Sequence, residues 1–97
     1  MVATIDKLTW WKDSGHAWLK VRQEELERLG LADKISSYSF REGGYAYLEE
    51  DCDADKYLNS KFGCDWFKNE ELLRLVKSIP CRLFKGPSPC RNYPRFI

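Results

Sequence analysis

A chain of 97 residues is long enough for one domain and too short for two. Its 43% apolar and 32% charged residues exclude a disordered tract, and a net charge of +1 excludes a global field that would draw the whole molecule onto nucleic acid or an anionic membrane. No apolar run approaches the roughly 18 residues that a transmembrane helix needs, and residues 1–7 lack the basic-then-apolar pattern of a secretory signal. The expectation is therefore a single domain, residues 1–97, working in the cytoplasm away from any membrane.

Residues 4–12 carry the β-favouring Thr4, Ile5, Thr9, Trp10 and Trp11 and form a first extended element. Asp13-Ser14-Gly15 turns the chain, because Asp and Ser close local hydrogen bonds and Gly accepts positive φ. Residues 16–21 alternate: Ala17, Leu19 and Val21 point one way, and His16, Trp18 and Lys20 the other. Two aromatic extended pieces around a short polar turn predict a hairpin.

Residues 23–29 follow as a short helix with Leu26 and Leu29 on its inner face and Gly30 at the left-handed position beyond its end. A second hairpin pairs residues 35–41 with 45–50 around Glu42-Gly43-Gly44. A two-residue loop would put Tyr38, Phe40, Tyr45 and Tyr47 on one face. A three-residue loop would pair Phe40 with Ala46, gathering Tyr38, Phe40, Ala46 and Leu48 on one face and Ser37, Ser39, Arg41, Tyr45, Tyr47 and Glu49 on the other. The second choice segregates apolar from polar residues better, and burial is what fixes register.

Asp53 is placed to cap a helix over 53–62, which Gly63 ends. Asn69 caps a last helix whose inner stripe is Leu72, Leu73, Val76 and Ile79, with Pro80 beyond it. From Cys81 the chain runs extended, breaks at Gly86-Pro87-Ser88-Pro89 and finishes as an aromatic, basic arm, residues 81–97. The fold class is α+β: a small antiparallel sheet of two hairpins, two or three short helices on one face, and that arm.

Charge is unevenly spread. Residues 49–71 hold eight acids against three lysines, whereas after Glu71 come six bases and no acid. Such polarity steers a partner more than it shapes a fold.

Three stretches carry a resemblance: Gly15-His16-Ala17-Trp18-Leu19-Lys20-Val21, Lys34-Ile35-Ser36-Ser37-Tyr38-Ser39-Phe40, and Tyr47-Leu48-Glu49-Glu50-Asp51-Cys52-Asp53. Over residues 10 to 60 the chain resembles small uncharacterised proteins of bacteriophages and plasmids. The resemblance implies a mobile-element protein acting inside bacteria. Proteins of that kind often inhibit host machinery, including CRISPR effectors and transcription.

No motif for catalysis, metal or cofactor stands out. Asp51-Cys52-Asp53-Ala54-Asp55 opens like a calcium loop, but Lys56 stands where that loop needs glycine and Phe62 where it needs a bidentate acid. Acids drawn to a helix N-terminus explain the cluster. Glu49, Glu50, Asp51 and Asp53 lack the partner groups of a two-metal nuclease. Gly43-Gly44 has no Walker spacing, and a hairpin tip accounts for it. His16 beside Asp13, Ser14 and Cys52 has no nucleophile-elbow context. The cysteines at 52, 64, 81 and 90 form no C-x-x-C pair. With one histidine they predict no zinc site and read as thiols, most of them in the core. A Cys81–Cys90 bridge would require an oxidising compartment.

Two groups of residues remain as binding candidates. Trp18, Lys20, Arg41, Tyr45 and Tyr47 would set stacking aromatics beside cations on the sheet's second face, unless the last helix or the arm covers them. Arg82, Lys85, Arg91 and Arg95 alternate with Phe84, Tyr93 and Phe96, as in a phosphate-contacting or protein-docking arm. The sequence therefore points to a non-enzymatic protein, monomer or homodimer, that binds a bacterial host protein or nucleoprotein complex. A small nucleic-acid-binding module is the alternative.

Overall fold

The computed structural model describes residues 7–97, so Thr4 and Ile5 of the expected first element lie outside the described residues. The fold is α+β, as the sequence predicts. Strand β1 (Thr9–Lys12) pairs antiparallel with β2 (Ala17–Arg22), and Leu19 lies opposite Trp10. Their turn closes as expected, with the Asp13 carboxylate accepting the Gly15 and His16 N–H groups at 2.9 and 3.0 Å. Helix α1 (Gln23–Arg28) follows, then the hairpin β3 (Phe40–Glu42) and β4 (Tyr45–Glu49). Next come α2 (Asp53–Phe62), a 3₁₀ turn at Trp66–Lys68, and α3 (Glu70–Lys77). The Asn69 carboxamide accepts the Leu72 N–H at 3.1 Å, the cap expected of it.

Two features correct the expected sheet. Residues Cys81–Leu83 are not a free arm but a fifth strand, β5, running parallel to β1. The strand order β3-β4-β2-β1-β5 therefore makes a mixed sheet, not a purely antiparallel one. The second hairpin also takes the two-residue loop. Glu42 pairs with Tyr45, Arg41 with Ala46 and Phe40 with Tyr47. Gly43 and Gly44 sit at φ 57° and 83°, the left-handed pair that a tight hairpin demands and only glycine supplies cheaply. The strand is shorter than expected, and residues 35–39 are irregular.

This register makes sense once both faces are seen to be covered. On one face Leu19, Val21, Ala46 and Leu48 pack against Leu26, Tyr57, Leu58, Val76 and Ile79 of the helical layer. On the other, Trp11, Trp18, Phe40 and Tyr47 pack with Cys90 of the arm, flanked by Tyr45, Phe84 and Tyr93. The expected three-residue loop assumed one wet face. With two dry faces, the register that puts Phe40, Tyr45 and Tyr47 together under the arm buries more aromatic surface.

Asp53 does not cap its own helix; Cys52 holds that position without a side-chain bond. Fully buried, its carboxylate accepts the Ser36 N–H at 3.1 Å and the hydroxyls of Ser36 and Ser39 at 2.6 and 2.5 Å. The Ser39 hydroxyl in turn accepts the Glu49 N–H at 3.0 Å. One buried acid thus ties the irregular segment to the end of β4 and the start of α2. Burial alone would raise its pKa. The bonds from Ser36 and Ser39, with Lys56 nearby, reverse that and hold it below the usual carboxylate range.

All four cysteines are free, and the core expectation holds for one of them: Cys90 is buried, Cys52 half-buried, and Cys64 and Cys81 exposed. No helix among the described residues is long and apolar enough to cross a membrane.

Candidate interaction surface

The arm lies across the sheet's second face and is fastened at three points. Phe84 packs at a tilt against Trp11 with ring centroids 5.3 Å apart, and Tyr93 likewise against Tyr47 at 5.2 Å. Arg91 forks onto Asp13, Nε to Oδ2 at 2.6 Å and Nη2 to Oδ1 at 3.0 Å. The Asp13 side chain is only 3% exposed, and it also accepts the Ser88 N–H at 2.9 Å. The Arg91 fork, above all, with these backbone donors, holds its carboxyl far below the usual range. Beyond that clasp the arm runs along β3: Arg41 N–H donates to the Pro94 carbonyl at 2.9 Å, and Phe96 N–H to that of Ser39 at 2.8 Å. The free edge of β3 is therefore closed.

The expected binding residues are divided by this arrangement. Trp18 and Tyr47 lie together but buried, each 3% exposed, so the arm covers the stacking face, and burial, chiefly, pushes the Tyr47 hydroxyl up to about 12. Lys20 remains half-buried at the margin, its Nζ 4.3 Å from the Tyr45 ring centre. Arg41 leaves the group, because the two-residue loop places it opposite Ala46, on the other face. Arg91 is consumed by Asp13. Arg95 donates to the Ser37 carbonyl at 2.6 Å and lies over Phe40. Arg82 lies over Trp11 and Phe84 yet is exposed, as is Lys85. Of the four arm cations, these two are left facing outward without an ion-pair partner among the described residues.

Two of the three acids of the expected calcium-like stretch are occupied. Asp53 serves the serine network, and Asp55 accepts the Trp66 Nε1–H at 3.0 Å. A cleft of about 440 Å³ opens between His16, Trp18, Phe40, Glu49, Arg91 and Arg95. Within it His16 Nδ1 stands 3.7 Å from a Glu49 oxygen. Glu50 brings a third donor atom, all three within 4.8 Å of one another. Both carboxylates already accept backbone N–H groups, from Asp51 and Ala17 respectively. The turn's Asp13, engaged by Arg91, makes no bond to the His16 ring.

The feature that sequence patterning missed is the opposite edge of the sheet. All three residues of β5 are exposed, and Leu83 is 77% so. Beside Cys81 a groove of about 310 Å³ is lined by Trp10, Trp66, Phe67 and Ile79, and Phe67 is itself 69% exposed. A three-residue strand with no alternation carries no periodic signal, so only tertiary pairing reveals it. Against this geometry, comparison with family models, curated proteins and solved structures finds no match to the chain.

The clasp makes a testable claim about the covered face. Asp13→Ala removes the acceptor of the Arg91 fork and of the Ser88 N–H. Because Arg91 is partly solvated, the expected cost is about 1–3 kcal/mol. The arm should loosen and wet Trp11 and Trp18, seen as a red shift of tryptophan emission before the main thermal transition. An unshifted spectrum and an unchanged melt would mean that the arm is held by its aromatics alone.

Proposed function

We propose that this chain is a non-enzymatic accessory protein of a bacteriophage or plasmid that acts in the bacterial cytoplasm. It binds, and thereby inhibits, a host protein or nucleoprotein complex such as a CRISPR effector or the transcription machinery. The observation that carries the binding part of this proposal is a sheet edge at β5 that nothing among the described residues closes, with Leu83 and Phe67 exposed there, beside a covered aromatic face. Exposed apolar residues beside a groove are what protein interfaces use as anchors. The covered Trp18 and Tyr47, and the engagement of Arg91 and Arg95 within the fold, count against a stacking platform for single strands. The mobile-element origin and the inhibitory role rest on the resemblance carried by residues 10 to 60.

The test combines a tagged pull-down from nuclease-treated bacterial lysate with anisotropy titrations against single- and double-stranded DNA and RNA. Stoichiometric recovery of a host protein, with no nucleic-acid binding near physiological salt, is the expected result. Micromolar or tighter binding to any nucleic acid, weakened and made less salt-dependent by Arg82→Ala with Lys85→Ala, would establish the nucleic-acid-binding alternative instead. Arg82 and Lys85 are the cations to remove, because replacing Arg91 or Arg95 would also loosen the arm.

A further inference from the structure

We propose that the outer edge of β5 takes up an extended segment of a partner protein as a sixth strand, one in which acidic residues alternate with apolar ones. This rests on the protein-binding proposal and names the kind of partner. Backbone geometry comes first. The Trp10 N–H donates to the Pro80 carbonyl at 2.8 Å and the Phe84 N–H to the Lys12 carbonyl at 2.9 Å. Residues 80, 82 and 84 therefore face β1. By strand alternation, the N–H and C=O groups of Cys81 and Leu83 face away from the sheet. They form a row of donors and acceptors that nothing among the described residues covers.

The other edge of the same sheet shows the contrast. There the chain spends its own residues Pro94 and Phe96 to close β3, as soluble proteins do with edges they do not use. At β5 it leaves Leu83 in water instead.

Side chains then select the strand that fits. Cys81 and Leu83 lie opposite Trp10 and Lys12, and Arg82 lies opposite Trp11. A strand added outside β5 would set its alternate side chains beside Cys81, Leu83 and the Trp10–Phe67 groove on one face, and beside Arg82 on the other. The first position favours an apolar residue and the second an acid. Lys12 and Lys77 line the groove against a single acid, Glu50, and Lys85 stands exposed just beyond the strand. A second copy of this chain fits poorly, because symmetric antiparallel pairing centred on β5 sets Arg82 against Arg82, and like charges directly opposite repel. Main-chain pairing with pockets for alternate side chains is an established mode of peptide capture.

The probe is a fluorescein-labelled peptide of alternating Glu and Val, titrated beside its Lys and Val counterpart. Leu83→Pro deletes an outward N–H while leaving the bonds of residues 82 and 84 to β1 in place. Arg82→Glu keeps the backbone and reverses the charge. The acidic peptide should bind the parent at least tenfold tighter than the basic one. Either variant should weaken it tenfold or more, and Arg82→Glu should narrow or invert the preference. Equal binding of both peptides, no binding of either, or indifference to both variants would overturn the inference. So would a parent dimer that Leu83→Pro converts to monomer in sedimentation, since the edge would then be filled by a second copy. Pull-down with the same variants separates the two proposals. If a host protein is still recovered by both, binding stands and the edge falls. If the parent recovers none, binding itself falls.

Discussion

Leu19→Ala should destabilise the protein by about 2–5 kcal/mol, the range for emptying a leucine site in a packed core. The upper half of that range is expected here. Leu19 is wholly buried at the centre of β2, between Trp10 on β1 and Leu48 on β4. Backbone hydrogen bonds on both sides keep those strands from closing over the cavity, so the lost contacts are not recovered. A domain of this size has roughly 5–15 kcal/mol to lose. The variant should therefore melt many degrees lower or be partly unfolded at room temperature. Leu83→Ala is the control: the same deletion at a residue 77% exposed should change stability by no more than about 0.5 kcal/mol. Equal melting of the two variants would mean that Leu19 does not sit in a packed core.

That assignment was legible in the sequence because it is local. The alternation of Ala17, Leu19 and Val21 against Trp18 and Lys20 survives into β2 unchanged, both in phase and in strand. Gly30 and Gly63 do sit at positive φ, each 71°, just past α1 and α2. Asn69 caps α3 as its side chain allows.

Most of what failed depended on the far end of the chain; the Asp53 cap failed nearer by, because Ser36 and Ser39 take its carboxylate. Register in the second hairpin was weighed as if one sheet face were wet, but residues 84–97, 37 or more positions beyond Tyr47, dry that face. The local signal for the tighter turn, two adjacent glycines, was present and was outweighed. The same arm decides the candidate site. Trp18, Lys20, Tyr45 and Tyr47 are neighbours, as the alternation implied, yet Trp18 and Tyr47 lie beneath it. Arg41 parts from them because the register moved by one residue. β5 is a parallel pairing between residues some seventy positions apart, and no short-range pattern announces such a contact.

The three stretches singled out in the sequence, residues 15–21, 34–40 and 47–53, acquire a structural meaning of their own. Ser36 and Ser39 belong to the second, Glu49 and Asp53 to the third, and one hydrogen-bonded cluster joins all four. Leu19, from the first, lies directly opposite Leu48 on the neighbouring strand. Much of these three stretches thus serves to close the core.

Asp53→Ala should cost about 3–5 kcal/mol, because hydrogen bonds to a buried charged group are each worth about 1.5–3 kcal/mol and at least two donors lose their acceptor. Asp53→Asn isolates the charge. It keeps the size and one acceptor oxygen but cannot accept from Ser36 and Ser39 as a carboxylate does, so it should destabilise less than Ala at neutral pH. The pH dependence gives the sharper test. The Asp53 carboxyl titrates below its ordinary value of 3.8 in the folded protein, so the unfolded chain takes up the proton first as pH falls. Its contribution is fully present above the unfolded value and is lost as pH drops through the folded one. Asp13, also held low, acts in the same direction. Glu49, raised by burial above all, acts oppositely, since its share is present at low pH and fades as pH rises through its folded value. Neither is altered in Asp53→Asn, so the difference between parent and variant reports Asp53 alone. The gap in melting temperature should hold steady down to about pH 4 and close below it, where the parent's own carboxyl becomes neutral. A gap that stays constant down to about pH 2 would show that Asp53 holds Ser36 and Ser39 by shape and not by charge.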